Sequence, residues 1–484
     1  MSVFKKLFKQ TFIYGLATVL PRVLSVILVP LYVKVLLPEE YGIYSTVMAF
    51  LILGNVLLSY GMETAFFRFV TKDASQQKIV QSTTLTSLTV STLLFLGITL
   101  IFRNYIADFS EFNPEYVTYG LLILALDALV VLPFVWFRAN EKPMNYAVIK
   151  IGNVIINLAF NLFFLLSLPK LAETSAFWNS LWLPENKVAY VFIANVIASA
   201  ATLLVLLPLY FKIGFGFSRT IWKQMMKYAL PVLVAGIAFS INEAFDRILL
   251  KYLLPENIAE TQVGLYSACY KLGMFMTLFV MAFRLGIEPF FFNHSGHENA
   301  KKTYASITKY FTLFGCLILL VVVVYIDIFK RILIPNQQYW EALKIVPIIL
   351  LANLFLGIYH NLSVWYKVTD RTKFGAYISV FAAAVTLLLN YLLIPAIGYL
   401  GSALATLAAY GSMMVLSYLY GRNYYDVPYE VKKLSGYLLL ATGFAAISFY
   451  GLPGNIWLGT ALLVLFAGIM FYAEKNEFLK IIRK

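Results

Sequence analysis

Fourteen apolar stretches, most of them about twenty residues or longer, separated by short charged or Pro/Gly/Asn-rich breaks, dominate this chain. They fall at about 10–36, 42–67, 80–102, 116–137, 146–168, 188–211, 225–250, 263–287, 304–329, 342–366, 375–395, 399–421, 435–451 and 455–473. A helix needs a run of this length to cross about 30 Å of hydrocarbon. Inside a bilayer only helices or closed barrels satisfy their own backbone groups, and barrel strands would need only about ten residues of alternating polarity. The expectation is an all-α integral membrane protein of about 14 spans. Composition agrees, because 61% of the 484 residues are hydrophobic and 13% are charged, whereas a soluble domain has about a quarter charged. An ordinary soluble enzyme and any large soluble domain are excluded.

The net charge of +14 would suggest nucleic acid in a soluble protein, yet the basic residues lie in short clusters between apolar runs. No nucleic-acid partner is expected. Such clusters orient membrane proteins. Lys5, Lys6 and Lys9, then Arg68, Lys72 and Lys78, and the matching alternate loops outnumber the cations on the other side, such as Arg103 and Lys170, by about four to one. Both termini are therefore expected in the cytoplasm, with an even number of spans. The run from Phe12 to Leu37 is too long for a signal peptide and reads as a retained first span. Trp136, Trp178, Trp182, Trp222, Trp340, Trp365 and Trp457 fall near span ends, as an aromatic belt would. Cys269 and Cys316 lie inside apolar runs and indicate neither a disulfide nor a zinc site.

An internal repeat is legible. Val135–Lys142 lines up with Val364–Arg371, and the same offset carries Asn161 onto Asn390. Earlier in each half, Lys34–Glu39 matches Lys251–Glu256, and Gly42-Ile43-Tyr44-Ser45 matches Gly264-Leu265-Tyr266-Ser267. Parallel repeats of six spans are an established transporter plan, with the substrate handled at the repeat interface. The expected division is an N-lobe over 1–212, a C-lobe over 213–421, and a C-terminal helix pair with its tail over 422–484.

The sequence Leu36-Leu37-Pro38-Glu39-Glu40-Tyr41-Gly42-Ile43-Tyr44-Ser45, after a first span that begins Tyr14-Gly15, and its echo Val263-Gly264-Leu265-Tyr266-Ser267-Ala268, carry a resemblance. Along essentially its whole length the chain resembles the polysaccharide transporters of the multidrug/oligosaccharidyl-lipid/polysaccharide exporter superfamily. These are the Wzx-type flippases that turn lipid-linked oligosaccharides over in the bacterial inner membrane, and they are relatives of the lipid II flippase. The resemblance implies a fold of two pseudo-symmetric six-helix lobes plus two C-terminal helices, and alternating access. It also implies a groove for the lipid tail bordered by the last two spans, where Gly443, Gly451, Gly454, Gly459 and Gly468 would let a chain pack closely. Small-residue helix packing accounts for those glycines equally well.

Ionisable groups within spans cost a few kcal/mol each and should face a cavity or one another. Arg22 lies mid-span on a stripe with Tyr14, Thr18 and Ser25, where a guanidinium would suit bidentate recognition of a phosphate. The competing role is a salt bridge to Asp127 or Glu63. Glu243, Asp246, Arg247 and Lys251 share one face of the seventh span, and Lys271 lies about two turns into the eighth. In one reading Arg22, Arg247 and Lys271 form a cationic substrate cavity while Asp127, Glu243 or Asp246 couples transport to ions or protons. In the other, Glu243 pairs with Arg247 and Lys251 snorkels to the interface. Lys150, Asn153, Asn157 and Asn161 form a further stripe, either sugar-contacting or interhelical glue.

Enzyme motifs are absent: no phosphate-binding GxxxxGK[ST] loop occurs, and His294 and His297 read as a solvated loop. No cofactor or metal is expected. The leading expectation is a flippase for an undecaprenyl-pyrophosphate-linked oligosaccharide, with membrane lipids and polysaccharide polymerase or other assembly proteins as partners. The alternatives are a multidrug or small-solute exporter of the same superfamily and, lower in rank, a membrane polysaccharide polymerase or ligase.

Overall fold

In hydrocarbon a backbone amide has no water to turn to, so every long apolar run must close its own hydrogen bonds. The computed structural model, which describes residues 19–20, 23, 26–71, 74–294 and 298–482, is accordingly helical throughout its spans. Thirteen helices among the described residues are long and apolar enough to cross a membrane. They run Pro38–Val70, Gln77–Ile101, Pro114–Ala139, Pro143–Ala172, Lys187–Ile213, Arg219–Leu253, Glu256–Ile287, Ala300–Val324, Gln337–Val368, Lys373–Ile397, Tyr399–Tyr424, Val431–Gly451 and Ile456–Lys475. They correspond in order to the second through fourteenth runs read from the sequence. The first is represented by the shorter apolar helix Val26–Val35, and Arg22 lies outside the described residues.

Contacts between Cα atoms group the chain into two compact units, Met1–Gly264 and Leu265–Lys484. In the first unit the sixth span packs on the fourth and fifth, the second and third pack on the fourth, and the seventh packs on the second. In the second unit the twelfth span packs on the tenth and eleventh, while the ninth meets the tenth and both members of the C-terminal pair. The packing boundary at residue 264 and the repeat boundary at 212 thus fall in different places.

Local geometry follows the repeat. Glu141 and Asp370, equivalent positions after Trp136 and Trp365, both adopt left-handed backbone, with φ of 52° and 55°. Asn161 and Asn390 are both fully buried. The hydroxyl of Tyr32 donates to Asn161 Oδ1 at 3.0 Å, and that of Ser402 donates to Asn390 Oδ1 at 2.8 Å. Trp136 and Trp365 are interior residues, a correction to the belt expected from their sequence positions. Trp136 Nε1 donates to Gln81 at 3.3 Å, and Trp365 Nε1 donates to the Ser417 carbonyl at 3.0 Å. An indole whose N–H finds a protein acceptor no longer needs the wet interface. Trp457, by contrast, is exposed.

The paired glycines of the repeat meet inside the first unit. A Cβ on Gly42 would lie 1.8 Å from the carbonyl oxygen of Glu260, and one on Gly264 would lie 1.8 Å from that of Pro38. Each glycine therefore presses on the carbonyl four residues before the other, a reciprocal contact about a local two-fold. Only glycine permits this approach.

Candidate functional site

The fourth span begins cleanly. Asn113 caps it by accepting the Glu115 amide at 2.9 Å, and Pro114 takes the first helical position, where no amide is needed. Halfway along it sits Asp127. The sixth span passes alongside and presents Asn195, Ser199 and Thr202 at i, i+4 and i+7, one face of a helix. Ser199 Oγ donates to Asp127 Oδ1 at 2.9 Å, and Asn55 lines the same cavity as both. On the fifth span Asn153 Nδ2 donates to Thr202 Oγ1 at 3.0 Å, and Lys150 places its ammonium 4.4 Å from the centre of the Phe134 ring.

These side chains line one cavity of about 430 Å³, with Asn55, Ser59 and Glu63 of the second span on its wall. The second span breaks to form that wall. Tyr60 and Gly61 are both left-handed, with φ of 35° and 71°, and a Cβ on Gly61 would lie 2.4 Å from the Ala229 carbonyl oxygen. The helix restarts at Met62 and turns Glu63 toward Arg138, 2.6 Å away. Arg138 also lies over Phe67 at 4.8 Å. Both members of this pair are nearly half exposed, so the pair itself stabilises little.

The cavity combines two carboxylates, Asp127 and Glu63, the Lys150 ammonium, the Arg138 guanidinium and several amide and hydroxyl groups. Such a set can hold a polar or charged guest out of lipid or exchange a cation against Asp127. Among the described residues no group of three or more His, Cys, Asp or Glu could hold a metal ion.

The residues singled out from the sequence separate into distinct places. Asp127 and Asn153 share the cavity, with Lys150 beside them. Asn157 instead accepts the Asn161 amide at 2.8 Å, through its side-chain oxygen and its carbonyl alike. Arg247 does not pair with the Glu243 carboxylate. It donates to the Glu243 carbonyl and to Asp246 Oδ1, each at 3.2 Å, and Asp246 is buried. Lys251 does not snorkel: it is buried, bonding Glu260 at 2.9 Å and lying 4.3 Å from the Phe112 ring centre. Lys271 opens the one-turn segment Lys271–Gly273 in the second unit and is half-buried. Asn55, Asn195, Ser199 and Thr202 were missed, although the stripes Asn55-Ser59-Glu63 and Asn195-Ser199-Thr202 carry the same helical spacing that drew attention to the fifth span.

Residues 7–283, more than half of the chain, match the polysaccharide biosynthesis protein family. The chain belongs to this family. Residues 231–392 also match the MatE family. An uncharacterized membrane protein of Methanocaldococcus jannaschii is 21% identical over 421 residues, covering 80% of this chain and 78% of that protein. The fold is similar to the inward closed conformation of the lipid II flippase MurJ, with a TM-score of 0.70 at 14% identity over 96% of this chain and 99% of that one. It is also similar to the inward-facing conformation of a multidrug resistance MATE family transporter, with a TM-score of 0.61 at 13% identity over 88% of this chain and 96% of that one. This member of the polysaccharide biosynthesis family is thus a multi-pass membrane transporter of the multidrug/oligosaccharidyl-lipid/polysaccharide exporter superfamily.

Proposed function

We propose that the chain is a flippase that moves an undecaprenyl-pyrophosphate-linked oligosaccharide across the bacterial inner membrane by alternating access, with both termini in the cytoplasm. The observation that carries this reading is the polysaccharide biosynthesis match over residues 7–283, joined to a flippase-like fold over 96% of the chain. A glycan needs hydroxyl and amide partners in transit, since polar groups left unpaired in hydrocarbon cost several kcal/mol. Asn55, Asn153, Asn195 and Thr202 supply such groups. In this proposal Asp127 is the coupling residue, exchanging a proton or cation as the cavity is exposed to either side. Arg22, Arg247 and Lys271 are assigned to the diphosphate on their sequence positions, with Glu243 and Asp246 as further coupling candidates. Glycan polymerase and assembly proteins are the proposed partners on the far side.

A second reading has its own support. The MatE match over residues 231–392 and a cavity of drug-like volume suit a small-solute exporter. One experiment separates the two. Purified protein in vesicles is given a fluorescent undecaprenyl-pyrophosphate oligosaccharide on one arm and a cationic dye on the other. The flippase reading expects glycolipid translocation that falls steeply in Asp127→Asn and Lys150→Ala while both variants remain folded. Dye export without glycolipid movement would refute it, and wild-type rates in both variants would remove this cavity from the mechanism.

A further inference from the structure

A second cavity of the first unit takes no part in the polar site. It measures about 610 Å³ and is walled by Phe50 and Leu51 of the second span, Leu121 and Leu124 of the fourth, Ile248 of the seventh, and Phe109 of the short helix Arg103–Ser110. The space is a groove open on one side and lined almost entirely by apolar side chains, so a hydrocarbon chain can enter it from outside. Its two ends differ in chemistry. One lies at the Ser110–Phe112 break, where Tyr252 donates to the Ser110 carbonyl at 3.0 Å and Lys251 to the Glu111 carbonyl at 3.5 Å. The other is closed by Leu124 against Gly54, where an added Cβ would meet the Leu124 methyls at 2.8 and 2.9 Å.

Leu124 lies ten residues beyond the start of its helix at Pro114, about 15 Å at 1.5 Å per residue, which is half of a roughly 30 Å hydrocarbon core. Measured along this helix the groove is about 15 Å deep, the thickness of one leaflet's hydrocarbon. The helix at its mouth is amphipathic in the interfacial sense. Tyr105 and Phe109 are exposed one turn apart, and Arg103, Asn104 and Asp108 are exposed on the rest of its outer surface.

We propose that this groove is a binding site for one acyl chain of a bilayer phospholipid, with the glycerol at the Ser110–Phe112 break and the terminal methyl against Leu124. Two features of the groove select that occupant. Its depth matches a single leaflet, and its blind end stops a polyprenyl chain, which is longer than one leaflet. The site is independent of the flippase reading and holds equally for a small-solute exporter.

The test uses wild-type protein in phosphatidylethanolamine/phosphatidylglycerol vesicles containing a trace of phospholipid with a diazirine at its acyl terminus. After irradiation, adducts are mapped by peptide mass spectrometry. The expected result is several-fold enrichment on Leu121 and Leu124 over Leu94, which is well exposed on the helix surface. Gly120 lines the groove, and a Cβ there would make ordinary 3.6 Å contacts with Leu51 and Val47. Gly120→Ala should therefore keep the adducts and Gly120→Phe should abolish them. Should Gly120→Phe fail to fold, Val117→Trp on the same wall tests the same loss. Adducts no denser than at Leu94, adducts that persist in a folded blocked variant, or labelling there by a diazirine polyprenyl phosphate that exceeds the phospholipid's would each overturn the proposal.

Discussion

Replacing Gly42 by alanine puts one methyl where the structure has no room. The new Cβ would stand 1.8 Å from the Glu260 carbonyl oxygen and 2.7 Å from its carbon, whereas ordinary contact begins near 3.4 Å. The obstacle is backbone, so no rotamer relieves it. The second span and the Glu256–Tyr270 helix must separate locally by about 1.6 Å, the difference between those two distances. Overpacking of this kind costs about 1–3 kcal/mol, and more where backbone must move. Gly264→Ala meets the mirror-image clash with the Pro38 carbonyl and should cost the same. Because both clashes are relieved by one separation, the double variant should lose clearly less than the sum of the singles. The assay is thermal unfolding of purified protein in detergent, with Gly443→Ala as the control because an added Cβ there meets nothing within 4 Å. Unchanged stability in Gly42→Ala, or strictly additive losses in the double variant, would refute the reciprocal contact.

Two further outcomes follow from buried partners. Glu474 pairs with Lys433 at 2.6 Å and with Lys309 at 3.2 Å and accepts from Tyr437 at 2.7 Å, so Glu474→Ala removes one of the two carboxylates paired with buried Lys309, Glu430 at 2.9 Å being the other, and should cost about 1–3 kcal/mol. Glu474→Gln, which preserves an acceptor for Tyr437, should lose less, as read by thermal unfolding and by proteolysis between the twelfth and thirteenth spans. Trp365→Phe removes the 3.0 Å donation to the Ser417 carbonyl and should cost about 1 kcal/mol or more, while Trp457→Phe on the exposed surface should leave the melting temperature unchanged.

Ion pairing was the least legible level. Lys309 stands in a polar break between apolar runs, yet its side chain is only 2% exposed, and it pairs with buried Glu474 and half-exposed Glu430. Glu474 lies 165 positions after Lys309, a separation across which no local pattern signals a contact. Asp127 was conspicuous alone, but its partner Ser199 is 72 residues away. Arg247 pairs with its sequence neighbour Asp246 at 3.2 Å, although Glu243 has the helical spacing that favours a pair. The glycines of the thirteenth and fourteenth spans sort the same way: Gly459 packs against Ser448 and Val324, whereas a Cβ on Gly443, Gly451, Gly454 or Gly468 meets nothing within 4 Å.

Hydrophobic run length is a local property, and a bilayer converts it directly into helices of fixed extent; the spans and their repeat could therefore be read from the residues alone. Which helices would touch, and so which glycines would meet backbone to backbone, which lysines would be enclosed and which polar stripes would close around Asp127, depended on packing among segments far apart in the chain. Side-chain partners chosen by packing leave no periodic trace in sequence, so that part of the protein was decided only by its tertiary structure.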